Sequence, residues 1–231
     1  AEAKRFLAQN VNGDRVEVIH GDAFEYLPPE PVDVVICEMI HVAMLREKQV
    51  QVIESFKQRY LEKFGGPLPL FIPEAMIMAV QPLQQDYCFE GYQAPIVQFQ
   101  EPTFIQPGSV ELAQPAVYSM LDFTQAVHAQ IAWQGVFAIE HAGTVNALRF
   151  VTKNILAVNM QQSTTIDWLN HYLVLPLAEP VSVQAGEQLH VSFEYKAGGS
   201  IPSLQATLRA QHLHVVEAEW ALQSKQIVAY A

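Results

Sequence analysis

Glycine is scarce and never arranged for close backbone approach: eleven glycines are spread over 231 residues, and no two form Gly-x-Gly. A loop of the type Asp-x-Gly-x-Gly, which lets the main chain approach a nucleotide-like cofactor, is therefore missing. Cysteine is scarcer still. Cys37 and Cys88 stand in different apolar surroundings, which argues against a disulfide framework or a zinc site. Basic residues number 13 against 24 acidic ones, a net charge of −11, with no Lys/Arg cluster. A nucleic-acid groove, which needs a basic stripe to release counterions, is not expected; an acidic surface suits a cationic partner instead. The eight histidines include no His-x-x-x-His pair. Gln211-His212-Leu213-His214 puts two imidazoles on one strand face, the surface of an edge strand rather than a metal site. Apolar runs are short, and Pro67 to Val80 is broken by prolines and Glu74, so no membrane span is expected. The opening AEAKRFLAQN has no apolar signal-peptide core. A cytoplasmic location is the default expectation.

Half of the residues are hydrophobic, enough to bury one large domain or two smaller ones. Ala3, Phe6 and Leu7 have helical spacing. Val16-Glu17-Val18-Ile19 reads as a strand, Phe24–Leu27 as a turn of helix, and Val32–Ile36 as a second strand. Residues 45–64 look like an amphipathic helix, with Val52, Phe56, Tyr60 and Phe64 four apart and Gly65-Gly66-Pro67 ending it. That order predicts an α/β unit with parallel strands. After Pro73 short alternating segments such as Leu189–Tyr195 take over, punctuated by Pro and Gly. They predict an antiparallel sandwich or barrel, with the boundary near residues 66–75 and no long helix between 75 and 205.

The most informative segment is DVVICEMIHVAMLRE, residues 33–47. Its apolar β-branched run, Val34-Val35-Ile36, ends at Glu38, and Glu47 follows nine residues later. Ligands of α/β sheets bind beyond the carboxyl ends of such strands. Two carboxylates there could grip one planar cation, each accepting paired N–H donors. In a plainer reading Glu38 caps a strand and Glu47 is one acid of the charged patch Arg46-Glu47-Lys48.

This segment resembles the double-glutamate loop of the protein arginine methyltransferases. His20-Gly21-Asp22-Ala23 is similar to the third-strand turn of class I S-adenosylmethionine-dependent methyltransferases; a chance turn is the other reading. The resemblance implies that Asp22 accepts the adenine amine and that the Ala23 N–H meets a ring nitrogen. Gly65-Gly66-Pro67-Leu68 looks like the family's Pro-Gly-Gly hairpin with its proline displaced. Leu70-Phe71-Ile72-Pro73 is similar to the segment joining its two domains, and Asn146–Phe150 to a barrel strand. Residues 162–176 resemble the loop carrying Thr-His-Trp, where Ile166-Asp167-Trp168 keeps the tryptophan and replaces the histidine by an acid. Val183–Glu187 matches a following turn. Asp167 would add a third carboxylate beside Glu38 and Glu47, raising at least one pKa unless a cation joins them. Alternatively, Asp167 caps a turn and Trp168 is core. No helix long enough for the family's dimerisation arm occurs between Phe71 and Phe123.

The resemblance implies an α/β + β fold. Residues 1–70 would be the C-terminal half of a Rossmann-like cofactor domain, and 71–231 a β-barrel substrate or partner domain. With the glycine loop missing, the chain is expected to be a truncated or nicked piece of a larger protein. Bare strand edges would then invite homo-oligomer pairing. The implied activity is N-methyl transfer from S-adenosylmethionine to a protein or small cationic acceptor, held by Glu38 and Glu47. The chain alone is not expected to be active. Contacts from Asp22 and Ala23 are worth roughly 1–3 kcal/mol, against the roughly 8 kcal/mol of micromolar binding. The competing function is a non-catalytic β-domain binding module on a methyltransferase-like support. A sugar-binding sandwich has little support, because no aromatic platform clusters on one strand.

Overall fold

In the computed structural model, residues 2–213 are described. The amino-terminal part carries α1 (Glu2–Leu7), β1 (Val34–Ile36), α2 (Gln49–Phe64) and β2 (Leu70–Ile72). Strands β1 and β2 run parallel, Val35 opposite Phe71, with α2 as the crossover that parallel strands require. The segment Val16–Ile19, expected as a strand, is an exposed, unladdered stretch. A strand exists through its neighbour's hydrogen bonds, and among the described residues none stands beside it. Phe24–Leu27 yields a single turn, closed by the Glu25 and Tyr26 N–H groups on the Asp22 carbonyl.

Helix α2 begins at Gln49, four residues later than its periodicity suggests. The preceding Val42–Met44 is a kinked 3-10 turn. Val50, Ile53, Phe56, Lys57 and Tyr60 form its buried stripe. Gly65, at φ 64°, ends it by donating to the Leu61 carbonyl at 2.9 Å. Long side chains of α2 fasten the strandless segment before β1. Arg59 donates to the Phe24 carbonyl at 2.6 Å, Lys63 to that of Pro28 at 2.8 Å, and the Tyr60 hydroxyl accepts from Val32 N–H at 3.1 Å.

Beyond Pro73 the described residues form mainly strands joined by turns. First come β3 (Ala75–Gln85), β4 (Cys88–Phe89), β5 (Tyr92–Gln93), β6 (Gln98–Gln100), β7 (Ser109–Glu111) and β8 (Ala116–Asp122). Next are β9 (Gln130–Ala138), β10 (Gly143–Asn159), β11 (Thr164–Leu169), β12 (Tyr172–Val183) and β13 (Gln188–Lys196). The short α3 (Ile201–Gln205) and β14 (Arg209–His212) follow. A seven-stranded antiparallel sheet has the order β6-β12-β10-β3-β7, with β11 on β10 and β8 on β3; a second has the order β14-β13-β9. The expected barrel is thus not closed among the described residues: two open sheets face a shared core. Irregularities in β10 at Val145/Ala147 and Ile155/Ala157 bend this long strand, so that one edge serves β12 and then β11.

One hydrophobic cluster joins Ile53 and Phe56 of α2, Phe71 of β2, and Met76, Phe150, Leu173 and Val191 of the sheets. Phe193 is its aromatic centre, with Tyr118, Phe150 and Trp133 at 5.1, 5.3 and 5.4 Å. The α/β piece and the sheets therefore share apolar packing. Between Phe71 and Phe123 there is no helix. Among the described residues no helix is long and apolar enough to cross a membrane. His212 lies on β14, 3.8 Å from Glu187; His214 lies outside the described residues.

Candidate substrate cleft

One wall of the cleft starts at the carboxyl end of β1. The Cys37 N–H donates to the Ile72 carbonyl at 2.9 Å, carrying the strand direction past Ile36 and delivering Glu38 to the sheet's end. The next N–H, of Met39, is held at 2.9 Å by the side-chain oxygen of fully buried Gln49. The chain then folds tightly, with Ala43, Met44 and Arg46 at φ 57°, 54° and 62°. Left-handed geometry at non-glycine residues costs about 1–2 kcal/mol each, so the surroundings must hold it. Val42, Ala43, Met44 and Leu45 are all buried. Ala43 N–H donates to Thr152 Oγ1 at 2.8 Å; Gly198 N–H reaches the Met44 carbonyl and Arg46 N–H the Gly199 carbonyl, both at 2.7 Å.

The facing wall is the β11–β12 hairpin. Asn154 of β10 donates from its side-chain amide to the Trp168 carbonyl at 3.4 Å and to Asn170 Oδ1. Asn170 N–H donates to the Thr152 carbonyl at 3.0 Å. A third side comes from β6 and the turn after it: Phe99 and Glu101, the latter 2.9 Å from His171 Nε2. Between these walls lies a cleft of about 400 Å³, lined by Glu38, Ile40, His41 and Val42, by Phe99 and Glu101, and by residues 168–171.

Glu38 and Trp168, from the two ends of the chain's architecture, therefore line the same cleft. Glu47 is not among its lining residues. Its N–H bonds the Leu45 carbonyl at 2.6 Å, and its charge still acts on His41. Asp167 departs from expectation. Side chains alternate along a strand, so it takes the face opposite Trp168, where Lys153 Nζ lies 3.1 Å away and the Thr165 hydroxyl donates to it. The Thr165 bond first, then Lys153, hold its pKa below the ordinary value. No trio of repelling carboxylates forms. Asp22 is exposed, and its Oδ1 accepts the Phe24 N–H at 2.9 Å. Ala23 borders a separate groove of about 340 Å³ between β1 and α2.

Burial, then the charge of Glu38, push the Cys37 thiol up to about 11, so it stays protonated and is no nucleophile. His41 is half-buried, and desolvation is the main reason its pKa lies below the ordinary 6.5. A hydrogen bond to the Val42 carbonyl opposes this; Arg46 adds to it and Glu47 opposes it. Sequence reasoning missed His41, Phe99, Glu101 and His171. His41 lies within residues 33–47, but nothing in its spacing marks it. Phe99 and Glu101 reach the cleft through the pairing of Leu173 with Phe99, which no local pattern encodes.

No family model matches the chain. An uncharacterized protein of Methanocaldococcus jannaschii is 26% identical over 199 residues, covering 86% of this chain and 70% of that protein. One of Methanothermobacter thermautotrophicus is 26% identical over 201 residues, covering 87% and 72%. Among solved structures, the Trypanosoma brucei PRMT1 enzyme–prozyme heterotetrameric complex with AdoHcy is similar at a TM-score of 0.62 and 12% identity, over 90% of this chain and 76% of that one. Arabidopsis thaliana protein arginine methyltransferase 10, in a uniquely open conformation, is similar at 0.62 and 14%, over 82% and 68%. The chain has an arginine-methyltransferase-like, β-rich fold.

Proposed function

We propose that the cleft is the acceptor site of an S-adenosylmethionine-dependent N-methyltransferase of the arginine-methyltransferase type, with a guanidinium-bearing protein or small molecule as acceptor. The observation that carries this reading is the convergence of Glu38 and Trp168 on one cleft. A planar cation would lie against the aromatic wall of Trp168 and Phe99, its N–H edge on the Glu38 carboxylate. That carboxylate would draw positive charge to its own side and leave electron density on the far nitrogen, in a fixed orientation.

S-adenosylmethionine is the donor this reading implies, and the described residues do not by themselves fit it. No Gly-x-Gly turn offers a backbone cradle, the Asp22 carboxylate is engaged by its own turn, and residues 16–20 form no strand. The chain is therefore proposed as the acceptor-holding part of such an enzyme rather than a complete catalyst. The same lack of a cradle favours the second reading, a binding module without catalysis. Pairing of copies along the edge of β1 that is unpaired among the described residues is a proposed route to assembly.

Titration with N-ethylguanidinium, followed by the Trp168 indole N–H resonance, tests the cleft. Saturable shifts that vanish in Glu38→Gln support it; unchanged binding by that variant refutes the assignment. Calorimetry with S-adenosylmethionine separates the two functions. Weak or no binding is expected of this chain, and a micromolar dissociation constant would overturn the view that its own residues do not make a cofactor site.

A further inference from the structure

We propose that His41, not a second carboxylate, is the other acceptor for the bound cation, so that the cleft grips a planar monocation between one charged and one neutral group. This rests on the acceptor-cleft reading above and identifies what completes it.

His41 lines the cleft three residues after Glu38. Its Nδ1 lies 3.0 Å from the Val42 carbonyl. A carbonyl only accepts, so Nδ1 carries the proton, and a neutral ring presents the Nε2 lone pair. Phe99 steadies the ring edge-on, with centroids 5.8 Å apart and planes at 88°. The other candidate acids are engaged or elsewhere. Glu101 meets His171 at 2.9 Å, Asp167 meets Lys153 at 3.1 Å on the opposite strand face, and Glu47 does not line the cleft. Glu38 is in no ion pair among the described residues.

The groups around His41 are Glu38, Arg46 and Glu47 on its own segment, and Glu101 with His171 across the cleft. Burial and Arg46 favour the neutral ring at neutral pH. A guanidinium offers N–H donors on more than one edge of a plane, and can meet Glu38 with one and His41 Nε2 with another. An alkylammonium is a compact point donor and matches this pairing less well. Protonation of His41 removes its acceptor and sets a positive charge beside the cation, so binding must weaken as the pH falls.

The test uses the full chain and N-ethylguanidinium, with ethylammonium for comparison, read by the Trp168 indole N–H resonance. His41→Ala should weaken guanidinium binding about two- to tenfold, the worth of one hydrogen bond. His41→Gln, which keeps an acceptor but cannot titrate, should recover most of it and also guards against loosening of the loop. Between about pH 7.5 and 5, the wild-type affinity should fall in step with the His41 Cε1–H titration, and His41→Gln should lose that step. Unchanged affinity in His41→Ala, or a larger loss in Glu47→Gln than in His41→Ala, overturns the proposal while leaving the Glu38 reading intact. Absence of wild-type binding, or full binding by Glu38→Gln, overturns both.

Discussion

The Ala43 N–H donates to Thr152 Oγ1 at 2.8 Å, tying together residues 109 apart in the sequence. Two residues along β10, and so on the same strand face, Asn154 holds the Trp168 carbonyl. One strand thus carries the anchors of both cleft walls: the left-handed turn after Glu38 and the hairpin of Trp168. Two buried polar side chains of β10 anchor the two walls.

Thr152 is fully buried, which makes its hydroxyl testable. Thr152→Val keeps the shape and leaves the Ala43 N–H without an acceptor, at a cost of about 1–3 kcal/mol. Thr152→Ser should retain most of the stability. Urea unfolding of the three proteins checks this, and equal midpoints for valine and threonine would show that the bond carries no weight.

Arg46 is exposed yet adopts φ 62°. A β-branched residue is strongly disfavoured there and glycine is not. Arg46→Val should be less stable than Arg46→Gly by about 1–2 kcal/mol. Thermal melts of the pair decide the matter, since both lose the guanidinium near Phe99.

Asp167 has a folded-state pKa below its ordinary value, so the folded chain favours the ionised form. Its stabilisation is present above the ordinary aspartate range and lost as the pH falls through the lowered value. Wild type should exceed Asp167→Asn in stability at neutral pH, and the gap should close in acid. A gap that widens as the pH drops would reverse the assignment.

Cys37 is half-buried with its thiol pushed up to about 11, whereas Cys88 is exposed. Iodoacetamide at neutral pH should modify Cys88 first, and Cys37 alkylation should accelerate only towards that alkaline value. Peptide mass mapping over time reads both sites.

Much of the amino-terminal order was legible because it rests on local rules. The Val34–Ile36 run is strand β1, the four-residue spacing of Val52, Phe56 and Tyr60 is helix α2, and Gly65 is its end. The two failures there share a cause. Val16–Ile19 has strand composition but no neighbour to bond among the described residues, and residues 45–48 have helical composition but follow Ala43, tied to Thr152, and are themselves tied through Arg46 to Gly199. Neither influence is local.

Sequence by itself determined that Glu38 stands just beyond the carboxyl end of a short parallel strand, though Val34 and Ile36 of that strand are exposed rather than buried, that no Gly-x-Gly cradle exists, and that alternating segments follow Pro73. These depend on residue type and periodicity, which act over a few neighbours. Only the tertiary structure decided that Trp168 faces Glu38 while Asp167 turns away to Lys153. It also decided that Glu47 lies outside the cleft lining and that His41 enters it. Those outcomes depend on the register of β11 against β10, on the hydrogen bond that Thr152 accepts from Ala43 and on the one that Asn154 donates to Trp168. A one-residue change in register would exchange the faces of Asp167 and Trp168.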